Sequence, residues 1–169
     1  MSKKDEEEGF RLRPTISPSD KEFKAKIGEG AWLKIRSSTF RNNNFKCQGC
    51  GFQPYEVEPE SVLDAHLVEE DLVNPENSEM RTTCFFCHVI EHADAAVLGG
   101  YVELVNSHFS QGELVNICRN ESLSYHIEIG DIRSIKKTPT EYLEDLSTGR
   151  AFEGKVKLVF TEKFTKGLI

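Results

Sequence analysis

Two cysteine pairs carry the most specific chemistry in this chain, Cys47-Gln48-Gly49-Cys50 and Cys84-Phe85-Phe86-Cys87. Two residues between cysteines let both thiolates turn toward one ion, and two such turns supply the tetrahedral sulfur set of a closed structural zinc site. The expected ligands of a single Zn²⁺ are therefore Cys47, Cys50, Cys84 and Cys87. Gly51 follows the first pair directly, where a tight turn calls for glycine. Thirty-three residues separate Cys50 from Cys84, a wider gap than a simple zinc ribbon has. The competing readings are ordinary buried thiols and a redox pair. A redox pair needs only one CxxC, on a strand-to-helix junction of an α/β pattern that is missing here. The opening residues do not read as a signal peptide, so reduced thiols are expected rather than disulfides.

Five histidines accompany the cysteines: His66, His88, His92, His108 and His126. His88 and His92 stand four apart on an expected helix and could meet a metal together. Four cysteines already close a tetrahedral site, so packing or capping is the preferred role for both. His66 lies in Val62–Val68, the apolar piece of an otherwise acidic stretch, and is the residue to weigh for catalysis. Cys118 reads as a small buried hydrophobe.

The elements around these residues follow from pattern. Residues 1–19 read as a disordered acidic tail, with Asp5–Glu8 as a charge run and Pro14 and Pro18 as helix breakers. The spacing of Trp32, Ile35 and Phe40 predicts a helix over 31–41, and Gly28 and Gly30 should interrupt any helix running into it. Arg41–Asn44 is turn chemistry, and Phe45-Lys46 should enter the first knuckle as a short strand. Residues 51–83 read as a long acidic loop, in which 62–68 is a strand or short helix and Asn74–Asn77 a turn. Phe85, Val89, Ala93, Ala96 and Val97 predict a helix ended by Gly99-Gly100. Strand, turn, knuckle and helix in that order suggest a treble clef. Tyr101–Val105 is an expected strand. Ser110-Gln111-Gly112-Glu113 fits a capping box before a short helix. Further strands are expected over 126–135 and 155–161, and a helix start at Thr138–Glu141.

The length of 169 residues predicts one zinc-binding domain over 20–169, of α+β class. No apolar run approaches a membrane span. The net charge of −7 is uneven. Residues 21–50 carry seven basic and two acidic side chains, net +5, whereas 51–100 carry one basic and eleven acidic, net −10.

The order Phe45-Lys46-Cys47-xx-Cys50-Gly51, then His66, Asn77 and Thr83-Cys84-xx-Cys87-His88, resembles the HNH endonucleases, whose fold is of the ββα-metal type. That resemblance implies a histidine base at His66, an orienting asparagine at Asn77, a metal ligand at Asp64 and a second histidine on the helix that completes the metal site, for which His92 is the candidate. The sequence departs from the pattern where Ala65 separates Asp64 from His66 and where Glu79 stands at the usual asparagine position. The acidic surroundings also oppose an approach to phosphate.

A second resemblance covers residues 31–120. Cys47-Gln48-Gly49-Cys50-Gly51-Phe52-Gln53, Thr83-Cys84-Phe85-Phe86-Cys87, Gly99-Gly100-Tyr101 and Ser110-Gln111-Gly112-Glu113-Leu114 are similar to the IcmJ (DotN) family of Dot/Icm type IVB secretion systems. It implies an HNH-like treble-clef zinc domain with added helices and strands and no nuclease role. The implied function is docking on the C-terminal segment of a coupling ATPase, beside adaptor subunits that recruit effectors. No nucleic acid partner is then expected, and the location is cytoplasmic, reaching the inner membrane only through the complex. Tyr101, Leu104 and Leu114 are candidate anchors for the partner, weighed against simple core filling. The alternatives are a metal-dependent HNH endonuclease using Asp64, His66 and Asn77, and a zinc-finger DNA-binding regulator using the basic segment 21–50.

Overall fold

The computed structural model describes residues 20–55, 59–107, 109–120, 133–134, 156–161 and 163–164. The expected tail over 1–19 and the helix start at Thr138–Glu141 lie outside these residues, as does all of the expected strand 126–135 except Arg133–Ser134. The described residues form two compact units, 20–88 and 89–164.

The first unit begins with α1 (Asp20–Ile27) and α2 (Glu29–Asn42). α1 carries Asp20 and Glu22 in its first turn and Lys24 and Lys26 in its last, the order that suits the helix dipole. Gly28 separates the helices with φ of 84°, a left-handed conformation that favours glycine. Gly30, expected to break the helix as well, lies inside the first turn of α2. Ile35, Thr39 and Phe40 form the buried face of α2. Phe23, Ile35 and Leu67 make the core of this unit, with Ile27, Trp32 and Met80 packed against it. The Phe23 and Trp32 rings meet edge to face at 6.4 Å.

Phe45 was expected to extend into a strand. It instead turns, with φ of 51° after Asn44 at 53°, and its N–H returns to the Phe40 carbonyl at 2.8 Å. The helix end is thereby closed and the chain is aimed into the first knuckle.

The stretch 51–83 is not one long loop. β1 (Leu63–Glu69) and β2 (Glu79–Cys84) pair antiparallel, with Leu63 opposite Cys84 and His66 opposite Arg81. Pro59–Ser61 and Pro75–Asn77 are single 3-10 turns. On a strand, alternate residues share a face, so Leu63, Ala65 and Leu67 line one side and Asp64 and His66 the other. Arg36 secures the start of the hairpin to α2. Its guanidinium lies over the Phe40 ring at 4.5 Å and donates to the carbonyls of Glu60 at 2.6 Å and Leu63 at 3.2 Å. α3 (Phe85–Glu91) follows β2 without a linker.

In the second unit, α4 (Ala93–Leu98) ends at Gly99-Gly100, as expected. β3 (Val102–Asn106) lies between β4 (Arg133–Ser134) and β5 (Val156–Phe160), antiparallel to both. α5 (Gln111–Asn120) adds Leu114 to a core with Val105 and Val159, against which Phe109 and Ile117 pack. The capping box is formed: Glu113 N–H donates to Ser110 Oγ at 3.2 Å, and Ser110 N–H donates to Glu113 Oε2 at 2.7 Å. The buried Gln111 amide meets both backbone groups of Leu158, donating to its carbonyl at 2.7 Å and accepting from its N–H at 2.9 Å.

Candidate metal centre

The first knuckle is a closed turn. Gly51 N–H donates to the Cys47 carbonyl at 3.0 Å, and Cys47 N–H donates to the Phe52 carbonyl at 2.8 Å. Gly51 has φ of 75°, so its glycine is required by conformation. Cys84 ends β2, and Cys87 lies in the first turn of α3. Thr82 links the two knuckles. Its carbonyl accepts from Gln48 N–H at 2.8 Å, and its N–H donates to Asn43 Oδ1 at 3.0 Å. Its hydroxyl donates to the Thr39 carbonyl at 3.3 Å. The end of α2, the first knuckle and β2 are thus held to one another by the groups of a single threonine.

This framework brings Cys47, Cys50, Cys84 and Cys87 together, their sulfurs all within 4.8 Å of one another. Cys50 Sγ and Cys84 Sγ are 3.8 Å apart. A tetrahedron with zinc–sulfur bonds of about 2.3 Å has sulfur–sulfur edges of about 3.8 Å. A disulfide would need about 2.05 Å, and all five cysteines are free thiols. The donors therefore fit a metal ion such as zinc in number, type and spacing.

The electrostatics of the bare thiols point the same way. Hydrogen bonding to Cys50 works to raise the Cys47 thiol, but the bonds from Cys84 and Cys87 outweigh it and bring Cys47 down to about 7. Hydrogen bonds to Cys47 and Cys50 push the Cys84 thiol far above its ordinary value, and the same partners do so for Cys87. One thiolate is stabilised by its neighbours, and the others then resist ionising beside it. A bound dication eases that conflict, because each thiolate then faces a 2+ ion and the four together keep a net charge of only −2.

His66, on β1, is buried to 2% exposure. Asp20, the first residue of α1, lies against it, with Oδ2 at 3.8 Å from His66 Nδ1. Asp20 Oδ1 accepts from the N–H of Leu67 at 2.8 Å, which fixes α1 on the strand. His88, in α3, presents Nε2 to Asp20 Oδ2 at 2.9 Å and Nδ1 to Asp64 Oδ2 at 3.2 Å. The His66 and His88 rings meet at 5.3 Å. Burial alone would lower the His88 pKa; its bonds to Asp20 and Asp64 more than offset that and raise it to about 9.

Asp64 and His66 are brought together on one face, and His88 joins them. Asn77 is not brought to His66: it is exposed on the second 3-10 turn, and among the described residues the two share no hydrogen bond. His92 is not on one helix with His88, because α3 ends at Glu91 and His92 caps α4 in the second unit. Cys118 is buried, as expected. Of the candidate anchors, Leu104 and Leu114 are buried in the core of the second unit. Tyr101 is 42% exposed, with Lys163 Nζ over its ring at 5.0 Å. Sequence reasoning missed Asp20. It stands 46 residues before His66 and belongs to no motif, so no local signal marks it.

The sequence matches no protein-family model and no curated protein. Among the described residues, no helix is long and apolar enough to cross a membrane.

Proposed function

We propose that this chain is a non-enzymatic, zinc-stabilised docking subunit, built on an HNH-like treble-clef scaffold and serving a type IV coupling protein complex. The observation that carries the non-enzymatic part is the 2% exposure of His66 beneath Asp20. A general base must reach the water it deprotonates, and a nuclease base must do so beside a scissile phosphate. Here the histidine nearest that role faces a carboxylate of its own chain. The net charge of −10 over 51–100 adds a barrier to polyanions. Support for the scaffold comes from the order knuckle, hairpin, knuckle and helix, with the four cysteines converging. The assignment to a coupling complex rests on the IcmJ (DotN) resemblance over 31–120. The ligand it implies is the C-terminal segment of a coupling ATPase, with adaptor subunits alongside. The acidic segment favours a partner strip that carries Lys and Arg, mainly by steering its approach.

Titration of a fluorescent peptide from that ATPase segment tests the reading. Saturable binding that weakens as salt rises is expected. Absence of binding at both low and higher salt would reject docking. Cleavage of plasmid DNA with Mg²⁺, Mn²⁺ or Ni²⁺ that disappears in His66→Ala would replace this reading with the nuclease.

A further inference from the structure

We propose that the closed end of the β1–β2 hairpin is the docking surface, a two-residue apolar knob inside a collar of carboxylates, and that its occupant is a partner segment with an apolar stripe flanked by Lys or Arg. This surface presupposes the docking reading above and adds to it the place of contact and the need for apolar side chains. The knob is Leu72-Val73, with Leu72 49% and Val73 87% exposed. Single aliphatic side chains in water are ordinary. Two in succession, on a loop already held in one conformation, are prepared for contact, because the ordering cost is met before a partner arrives.

The loop holds itself. Asp71 Oδ1 accepts from the N–H groups of Val73 and Asn74, both at 2.9 Å. Asp71 N–H donates to Ser78 Oγ at 2.9 Å and closes the neck. Asn77 N–H donates to the Asn74 carbonyl at 2.9 Å, and Ser78 N–H to that of Pro75 at 3.1 Å. The polar side chains of Asp71 and Ser78 are thus used inward, while the two aliphatic ones stand in water. Both helices brace the neck: α2 packs against the 3-10 turn Pro75–Asn77, and Lys26 Nζ of α1 meets Glu70 Oε2 at 3.3 Å.

The collar sets the charge of the partner. Residues 69–79 hold five carboxylates, Glu69, Glu70, Asp71, Glu76 and Glu79, and no Lys or Arg. Glu69 and Glu79, both exposed, stand opposite each other across the strand pair. Like charges in that relation oppose pairing. A partner cation placed between them turns the repulsion into two attractions. A purely basic segment would leave Leu72 and Val73 in water, and a purely apolar one would cover the carboxylates without pairing them.

The test titrates the fluorescent ATPase-segment peptide into the whole protein at low and at higher salt. Leu72→Ser/Val73→Ser should weaken binding roughly tenfold or more and keep its salt dependence. Glu69→Gln/Glu79→Gln should weaken it chiefly at low salt and flatten the salt dependence. Val62→Ser removes an apolar side chain, 37% exposed, at the opposite end of the hairpin and should bind as wild type. All five side chains are exposed, so thermal unfolding no lower than that of wild type is expected and shows each variant folded. Wild-type affinity in Leu72→Ser/Val73→Ser would overturn this surface and leave docking elsewhere on the chain. An equal loss in Val62→Ser would overturn it too, as would an undiminished salt dependence in Glu69→Gln/Glu79→Gln. No binding by the wild type at either salt would reject docking and this surface together.

Discussion

Cys84 and Thr82 show how single residues set the metal centre. Cys84 ends β2 and is one of four sulfurs that converge, so Cys84→Ser leaves three thiolates and a poor tetrahedral site. Structural zinc contributes on the order of 10 kcal/mol to the folding of small domains. Loss of zinc by elemental analysis, and loss of a cooperative unfolding transition, are expected for that variant. Thr82 is subtler. Its backbone positions the first knuckle, but its hydroxyl bond to Thr39 is a buried side-chain contact. Thr82→Val, of nearly the same shape, should retain zinc and cost about 1–2 kcal/mol in denaturant unfolding. Leu114, fully buried, fills core rather than surface. Leu114→Ala should cost about 2–5 kcal/mol by the same measurement. A loss of peptide binding with no loss of stability would return Leu114 to the role of an anchor.

At the scale of elements, the glycines between and within the first two helices should respond in opposite directions. Gly28 has φ of 84° with open space around its Cα, so Gly28→Ala meets strain but no clash. A destabilisation of about 1–3 kcal/mol is expected, since φ of 84° with ψ of 159° is a conformation essentially reserved for glycine. Gly30 also faces open space but has helical neighbours, so Gly30→Ala should stabilise by roughly 0.5 kcal/mol. Thermal unfolding of the pair checks the sign. α5 depends on its cap. The Glu113 carboxylate accepts from the backbone N–H and the hydroxyl of Ser110, which lowers its pKa from the ordinary value. A lowered folded-state pKa means that the contribution is present above the ordinary value of about 4.5 and is lost as pH falls through the folded value. Ser110→Ala should cost about 1 kcal/mol at neutral pH, and the difference from wild type should shrink in acid. These elements also show what was legible. α2, β3, α5 and β5 carry apolar spacing or a cap that names them directly. β2 does not: Glu79-Met80-Arg81-Thr82-Thr83-Cys84 has little apolar content, and two of its three buried residues are threonines, one on each face. Thr favours strands, but hydropathy cannot see it as core. The turn at Phe45 was hidden for a related reason, since an aromatic residue gives no sign that it will adopt positive φ.

Across the whole chain, the cysteine spacing announced the four-cysteine cluster because its donors lie in two short motifs. The Asp20, His66 and His88 cluster was only partly legible, because the strand face holding His66 and a helix from the far side of the sequence had to be placed before Asp20 could join it. Ala65 is a separate, local matter. It breaks an adjacent pair in the sequence, yet on a strand it sets Asp64 and His66 on one side. The charge division between 21–50 and 51–100 gives a prediction at this scale: peptide association should slow as salt rises, with a smaller change in dissociation. Stopped-flow mixing at two ionic strengths measures both rates.

The pairing of Gln111 with Leu158 has a consequence for how copies of this chain behave in concentrated solution. Among the described residues, β5 is the last strand of its sheet. A strand in that position offers bare peptide groups as a template for a neighbouring molecule, the usual route to runaway polymerisation. One side-chain amide carries the same donor and acceptor as a peptide, and here it occupies the Leu158 pair from within. Gln111→Leu would keep the bulk and remove that guard. Sedimentation velocity should then show concentration-dependent assembly in the variant, while the wild type stays at one size over the same range.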